Sequence, residues 1–417
     1  MTDGAGTSAS GIDAGGDGAN GIDAAGINAP GTNAPGAGAR SWRAWASVGF
    51  ALHGFIGAVV LTNLPGLQKR TGIGDTEVSL VVLAVLLMAA VGSLTAGWIA
   101  PRRGSGSVLA PAFLVQAAAV LLAMLPLPYL ALFPVYALFG LGVGLADAGN
   151  GMQALVIQRA HSRPIVSMFF AFQTAAAIVG ALLVAGVNGS GLPFEVGFAL
   201  AATAAIALAV LLRTRLAPDP EVEVAESAKP PLPWRGILIF GLVITVVYVG
   251  DGVVSTWSSV FLDTTLLASA AVVPLGYAAY QACVLVARLA GDRLVVLLGR
   301  PRVVGVAAVV AAGGLFAAAV SPTPWLAVAA FGLTGLGLGV IVPLSFAAAG
   351  ELAPDRIDEI VARLNLFNYL GVLLGAALTG VIADALGMRV ALAVPVLLIA
   401  AVLFAVRSYA PRRAAAA

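Results

Sequence analysis

From about residue 43 onward the chain alternates between apolar runs of roughly twenty residues and short breaks holding Arg, Asp, Pro and Gly. A run of that length suits a helix crossing about 30 Å of hydrocarbon, whereas a membrane strand needs about half as many residues in strict alternation. The pattern predicts helices over 43–65, 77–100, 107–126, 129–156, 164–187, 194–212, 236–262, 268–290, 303–321, 325–349, 358–383 and 389–408. One long hydrophilic break, 213–235, contains Pro218-Asp219-Pro220, Glu221, Glu223, Glu226 and Lys229-Pro230-Pro231 and reads as a linker. The expected fold is all-α, a polytopic membrane protein with two pseudo-symmetric six-helix halves, 41–212 and 236–408, and a short tail over 409–417.

Composition supports a lipid environment. With 60% hydrophobic and 10% charged residues among 417, the chain has too little polar surface to cover a soluble globule. Residues 1–40 differ: they form a Gly/Ala/Asn/Asp tract with loose repeats such as Gly11-Ile12-Asp13-Ala14 and Gly21-Ile22-Asp23-Ala24, too poor in apolar surface to offset chain entropy. This tract is expected to be a disordered cytoplasmic tail, and it lacks the apolar centre of a signal peptide. Its Gly16-Asp17-Gly18-Ala19-Asn20-Gly21 has dinucleotide-binding spacing but neither a strand before it nor a helix after it.

Charge and cysteine narrow the function classes. The net charge of +2 comes from basic residues scattered among loops, so no nucleic-acid stripe forms. Cys283 is the single cysteine and lies in an apolar run, which excludes an internal disulfide and a cysteine metal cluster. No metal site, no cofactor motif and no enzyme constellation such as H-E-x-x-H is present, so the chain reads as a non-enzyme acting as a monomer in the lipid bilayer. Scarce Lys beside abundant Arg, Ala and Gly suits a GC-rich bacterial genome and a plasma or inner membrane location. With the N-terminus inside, all but three of the 22 basic residues fall on cytoplasmic segments or adjoining helix ends, Arg288 among them. The exceptions are Lys69, Arg70 and Arg389, an asymmetry that predicts both termini in the cytoplasm.

An internal repeat appears at one fixed offset. Gly140-Leu141-Gly142-Val143-Gly144 returns 195 residues later as Gly335-Leu336-Gly337-Leu338-Gly339, Gly180-Ala181-Leu182-Leu183 returns as Gly375-Ala376-Ala377-Leu378, and Gly104 falls on Gly299. The halves therefore read as a parallel duplication, which places a cavity between them near the bilayer midplane.

These features resemble the major facilitator superfamily over roughly 43–408. That family carries a G-x-L-a-D-R-x-G-R-R pattern between its second and third helices. Here Gly97-Trp98-Ile99-Ala100-Pro101-Arg102-Arg103-Gly104 keeps the glycines and arginine but has Pro101 in place of the acid. The second-half copy is Gly291-Asp292-Arg293-Leu294 followed by Gly299-Arg300-Pro301-Arg302. The resemblance implies a gating loop built on Gly97, Arg102, Gly104, Asp292, Arg293 and Gly299 that steadies the outward-facing state. A narrower likeness is to a bacterial subgroup related to sugar permeases such as the fucose permease. It rests on Asp251-Gly252 with Trp257-Ser258, on Asp147 with Asn150, and on Arg163-Pro164; the subgroup often has His where this chain has Phe170. A Gly-Pro antiporter motif of the kind many drug exporters carry is missing from the fifth predicted helix.

Ionisable residues at mid-membrane cost about 3 kcal/mol or more, so each asks for a reason. Three qualify: His53, Asp147 and Asp251. Asp147 shares a helical face with Gly140, Gly144 and Gly151, Asp251 shares one with Ser255 and Ser258, and His53 lies between Gly49 and Gly57. Each has a packing reading, as a hydrogen-bonded interior residue, and a coupling reading, as a site that loads and releases a proton with substrate. Asn150, Gln153, Gln281, Asn365 and Asn368 supply neutral hydrogen bonds to a ligand or to a neighbouring helix, and Trp257 is an interfacial anchor or a ligand platform. The first-half helices hold no deep Arg, which argues for a neutral or weakly cationic substrate. The expected function is proton-coupled secondary transport of a small molecule by alternating access, with Asp251 as first choice for the coupling residue. The alternative is a non-transporting membrane receptor or assembly factor on the same fold.

Overall fold

The computed structural model describes residues 37–161, 166–212, 215–216, 232–353 and 357–410. Most of the predicted tail over 1–40 and of the linker over 213–235, and the end of the chain past 410, lie outside the described residues. The first half comprises α1 (Ala37–Thr62), the short α2 (Leu64–Thr71), α3 (Asp75–Arg103), α4 (Gly106–Ala123), α5 (Tyr129–His161), α6 (Val166–Gly189) and α7 (Glu195–Leu212). The second half comprises α8 (Trp234–Val260), which continues as a π turn over Phe261–Thr265, then α9 (Leu275–Leu298), α10 (Arg300–Val320), α11 (Pro324–Gly350), α12 (Ile357–Leu386) and α13 (Met388–Ala401) with a 3-10 extension over Val402–Tyr409. Among the described residues eleven helices are long and apolar enough to cross a membrane, and α9 is a twelfth long helix between them. The side holding the start of α1 and the end of α13 is called the near side below, and the opposite one the far side.

The eighth predicted helix departs most from expectation. It was placed over 268–290, yet α9 runs from Leu275 to Leu298. Residues 266–274 form a turn instead: Leu267 adopts a left-handed φ of 50°, Ala268 N–H donates to Leu262 O, and Pro274 precedes the helix. At the other end the charges of Asp292 and Arg293 read as a break, but a helix end near the interface keeps such groups in reach of water and simply continues. It stops at Gly299, with φ of 78°.

That stop shows the duplication at atomic detail. Gly104, after α3, has φ 82° and ψ 150°, and Gly299, after α9, has φ 78° and ψ 150°; a side chain at either position would be strained. The two helix reversals are the same turn. The repeated glycines are matched in three dimensions too. A Cβ at Gly140 in α5 would strike the Val85 carbonyl of α3, and a Cβ at Gly335 in α11 would strike the Tyr280 carbonyl of α9. Small residues let these backbones touch where lipid supplies no hydrophobic drive for association.

Two of the three basic exceptions on the far side cap helix ends. Arg70 donates to the Ala123 and Met124 carbonyls at the end of α4 and stacks 5.1 Å over Phe194. Arg389 donates to the Ala319 and Ser321 carbonyls at the end of α10 and stacks 5.7 Å over Phe261. Each guanidinium caps a helix C-terminus, where carbonyls lack intrahelical partners and the dipole favours a cation by about 0.3–1 kcal/mol or more.

Substitution at the matched glycines tests the packing. Gly140→Ala and Gly335→Ala should each lower stability in detergent by about 1–3 kcal/mol through overpacking. Gly57, which faces open space in α1, should tolerate the same change or gain up to about 1 kcal/mol. Equal responses in thermal denaturation would contradict this packing.

Candidate functional site

The two halves meet mainly through α3 against α12 and α6 against α9. On the far side they are sealed. Tyr277 and Ala278 of α9 pack into Ala58 of α1 and Ala177 and Ala181 of α6. Lys69 Nζ lies 2.6 Å from Asp263 in the π turn. Asp384, near the end of α12, accepts from the backbone N–H groups of Asp75 (3.3 Å) and Thr76 (2.8 Å) at the start of α3. One half thus supplies the N-terminal cap for a helix of the other, favoured by both hydrogen bonding and the helix dipole.

Toward the near side, four contacts each stay within one half. Arg43 reaches Met168, Arg215 stacks on Trp45, Arg300 pairs with Glu351 and Ser345 bonds Tyr409. Arg300 holds the Glu351 carboxyl below its ordinary range. Between the halves lies a space that these near-side contacts do not bridge.

Polar side chains face this space from both halves. His53 Nε2 of α1 lies 3.0 Å from Asp147 Oδ1 of α5, with the histidine largely buried and the Asp147 side chain 37% exposed. The sequence separates these residues; the helix packing joins them. Across the space, Asp251 of α8 accepts a 2.6 Å hydrogen bond from the Tyr280 hydroxyl, and Gln281 Nε2 donates to the Tyr277 hydroxyl at 2.9 Å. Tyr248 lies within electrostatic reach of Asp147, Asp251 and Arg288, so the acids of both halves share one field.

Arg288 was assigned to a cytoplasmic helix end, and that placement is corrected here. The extension of α9 to Leu298 leaves Arg288 about 15 Å from the near-side end of the helix, at 1.5 Å per residue. Its exposed guanidinium donates to Thr174 Oγ1 of α6 at 3.1 Å and acts electrostatically on Asp251. A signal existed in the sequence: Tyr277, Gln281 and Arg288 follow one another by four and seven residues and so form a polar stripe along a single helix face.

Other candidates fall elsewhere. Trp257 is fully buried and donates its indole N–H to Ala376 O at 2.9 Å, so it ties α8 to α12 and is neither an interfacial anchor nor a platform facing the open space. Asn150 is buried against Gly49 of α1, and Gln153 is buried and donates to Ser105 Oγ at 2.7 Å. Asn368 is half-buried on α12, while the side chains of Asn365 and Asp292 lie outside the described residues. The gating-loop residues are largely helical: Gly97 and Arg102 lie in α3 and Arg293 in α9, leaving Gly104 and Gly299 at the reversals. Arg102 stacks on Trp98 of its own helix at 4.3 Å and donates to the Trp98 carbonyl, a local arrangement in keeping with Pro101 replacing the acid.

Removing the cap from the other half tests the seal. Asp384→Ala should speed amide hydrogen exchange at Asp75 and Thr76 by about ten-fold or more, the equivalent of a charge-assisted hydrogen bond of about 1.5–3 kcal/mol. Unchanged protection there would show that Asp384 does not hold the halves together.

Comparison with known proteins fits this geometry. A family model described as Major Facilitator Superfamily matches residues 46–265 and 240–417. An uncharacterised MFS-type transporter of Yersinia pestis is 29% identical over 362 residues, which cover 83% of this chain and 90% of that protein. A bacterial homologue of the human lysosomal transporter Spinster, in an inward-facing and unoccupied conformation, superposes with TM-score 0.73 at 15% identity over 90% of this chain and 98% of that one. A D-xylose-proton symporter superposes with TM-score 0.67 at 17% identity over 89% of this chain and 98% of that one.

Proposed function

Because the chain belongs to the Major Facilitator Superfamily, whose members here are transporters of small molecules, we propose that it couples substrate movement to protons by alternating access across a plasma or inner membrane, with both termini in the cytoplasm. The observation that carries this reading is one carboxylate from each half, Asp147 paired with His53 and Asp251 bonded to Tyr280, bordering one space at mid-depth. Carboxylates that border such a space are the groups that load and release protons as exposure alternates. The fold neighbour that is a D-xylose-proton symporter supports the same coupling by analogy of architecture.

The halves divide the labour. In this reading the far-side seal is made and the near side is the open one, so a solute enters or leaves between α3, α6, α9 and α12 from the side of the termini. Opening the far side requires breaking the Asp384 cap and the Lys69–Asp263 pair, and closing the near side brings the helix ends of the two halves together. Asp251 is the preferred coupling residue. Its partner is a neutral hydroxyl, so protonation removes its charge without stranding a bonded cation, whereas the Asp147 carboxylate answers to His53.

Proteoliposomes given a small-metabolite extract and an inwardly directed proton gradient should accumulate solute above its external level. Asp251→Asn, which mimics the protonated acid, should keep exchange of that solute at equal pH and lose uphill accumulation. Unchanged accumulation by Asp251→Asn would rule this residue out as the coupling site, and loss of accumulation in Asp147→Asn alone would move the assignment to α5.

A further inference from the structure

We infer that the transported solute carries a carboxylate or comparable anionic group, which the Arg288 guanidinium binds in the space between the halves; the inference rests on the transport reading above and names its substrate class. An arginine at mid-depth costs several kcal/mol unless it meets a counter-charge or faces a polar space. Arg288 is exposed, and among the described residues no carboxylate lies within ion-pair distance of it. The two acids facing the space are engaged elsewhere, Asp251 with Tyr280 and Asp147 with His53. The guanidinium is held by a neutral hydroxyl of the opposite half, Thr174 Oγ1, which orients it and leaves its charge unneutralised by contact.

A planar guanidinium with several free N–H groups binds a carboxylate through two parallel hydrogen bonds, a geometry an ammonium cannot reproduce. On the same face of α9, about 10 Å along the helix at 1.5 Å per residue, the part-buried Gln281 offers neutral hydrogen bonds for hydroxyl or amide groups of the same solute. The bound anion would touch α9 directly and α6 through Thr174, so its arrival acts on a contact that spans both halves. Zwitterions fit as well as simple anions, because Asp147 and Asp251 face the same space.

The test sorts solutes by charge without presuming their identity. Wild-type, R288Q and R288K proteins, each checked for monodisperse elution and a wild-type melting temperature, are reconstituted and given one small-metabolite extract, and the solutes enriched over empty liposomes are identified by mass spectrometry. The inference expects every wild-type-enriched solute to bear an anionic group, R288Q to cut enrichment at least about ten-fold, and R288K, which keeps the charge and loses the fork, to retain part of it. Enrichment of a solute without an anionic group, or equal enrichment by R288Q, overturns the inference and leaves transport standing. No enrichment by wild type removes the transport reading and the inference together.

Discussion

A charge inside a bilayer must be paired, or turned toward a polar space, and the arrangement of this chain follows from that constraint. His53, Asp147, Asp251 and Arg288, carried by α1, α5, α8 and α9, all turn inward to one space between the halves. The far-side arginines obey the same rule by another route, spending their charge on the open carbonyls of helix ends and on aromatic faces. What remains for lipid is apolar, as at Leu94, Leu130 and Phe404, each strongly exposed.

Alternating access needs halves that are each tightly packed, and the packing inside each half meets that need. Glycines at matched positions put α3 against α5 and α9 against α11 at backbone contact, which leaves little freedom to deform. The junction between halves includes a small alanine pocket, a capped helix end, an ion pair, the Arg288–Thr174 hydrogen bond and the close approach of Gly380 in α12 to Ser79 and Asp75 in α3. Rigid halves joined by such contacts move as bodies.

Much of this was legible in the sequence, for definite reasons. Glycine spacing is read directly by helix packing, so the recurrence of Gly140 and Gly144 at Gly335 and Gly339 exposed the duplication and its register. Pairings between distant helices were not legible: nothing local in the chain ties His53 to Asp147. Trp257 carried no sign of whether its ring faced a cavity or a helix, since burial is decided by α12. Arg288 was misplaced because Asp292 and Arg293 looked like a loop, and that shortened the helix that puts it at mid-depth. The two capping arginines escaped the repeat because they do not occupy equivalent positions. At the offset of 195 residues Arg389 falls on Phe194 and Arg70 on Thr265, so neither cation aligns with the other.

The central claim is that two rigid halves rock about one shared polar space. In a Cys283→Ser background, spin labels at Leu192→Cys with Leu267→Cys report the far side, and labels at Arg103→Cys with Leu298→Cys report the near side; all four positions are exposed. Electron–electron distances are measured in liposomes as pH is lowered in the presence of a small-metabolite extract. The account predicts opposite changes, the far-side distance lengthening as the near-side distance shortens. Distances that move in the same sense, or a far side that never opens, would contradict it.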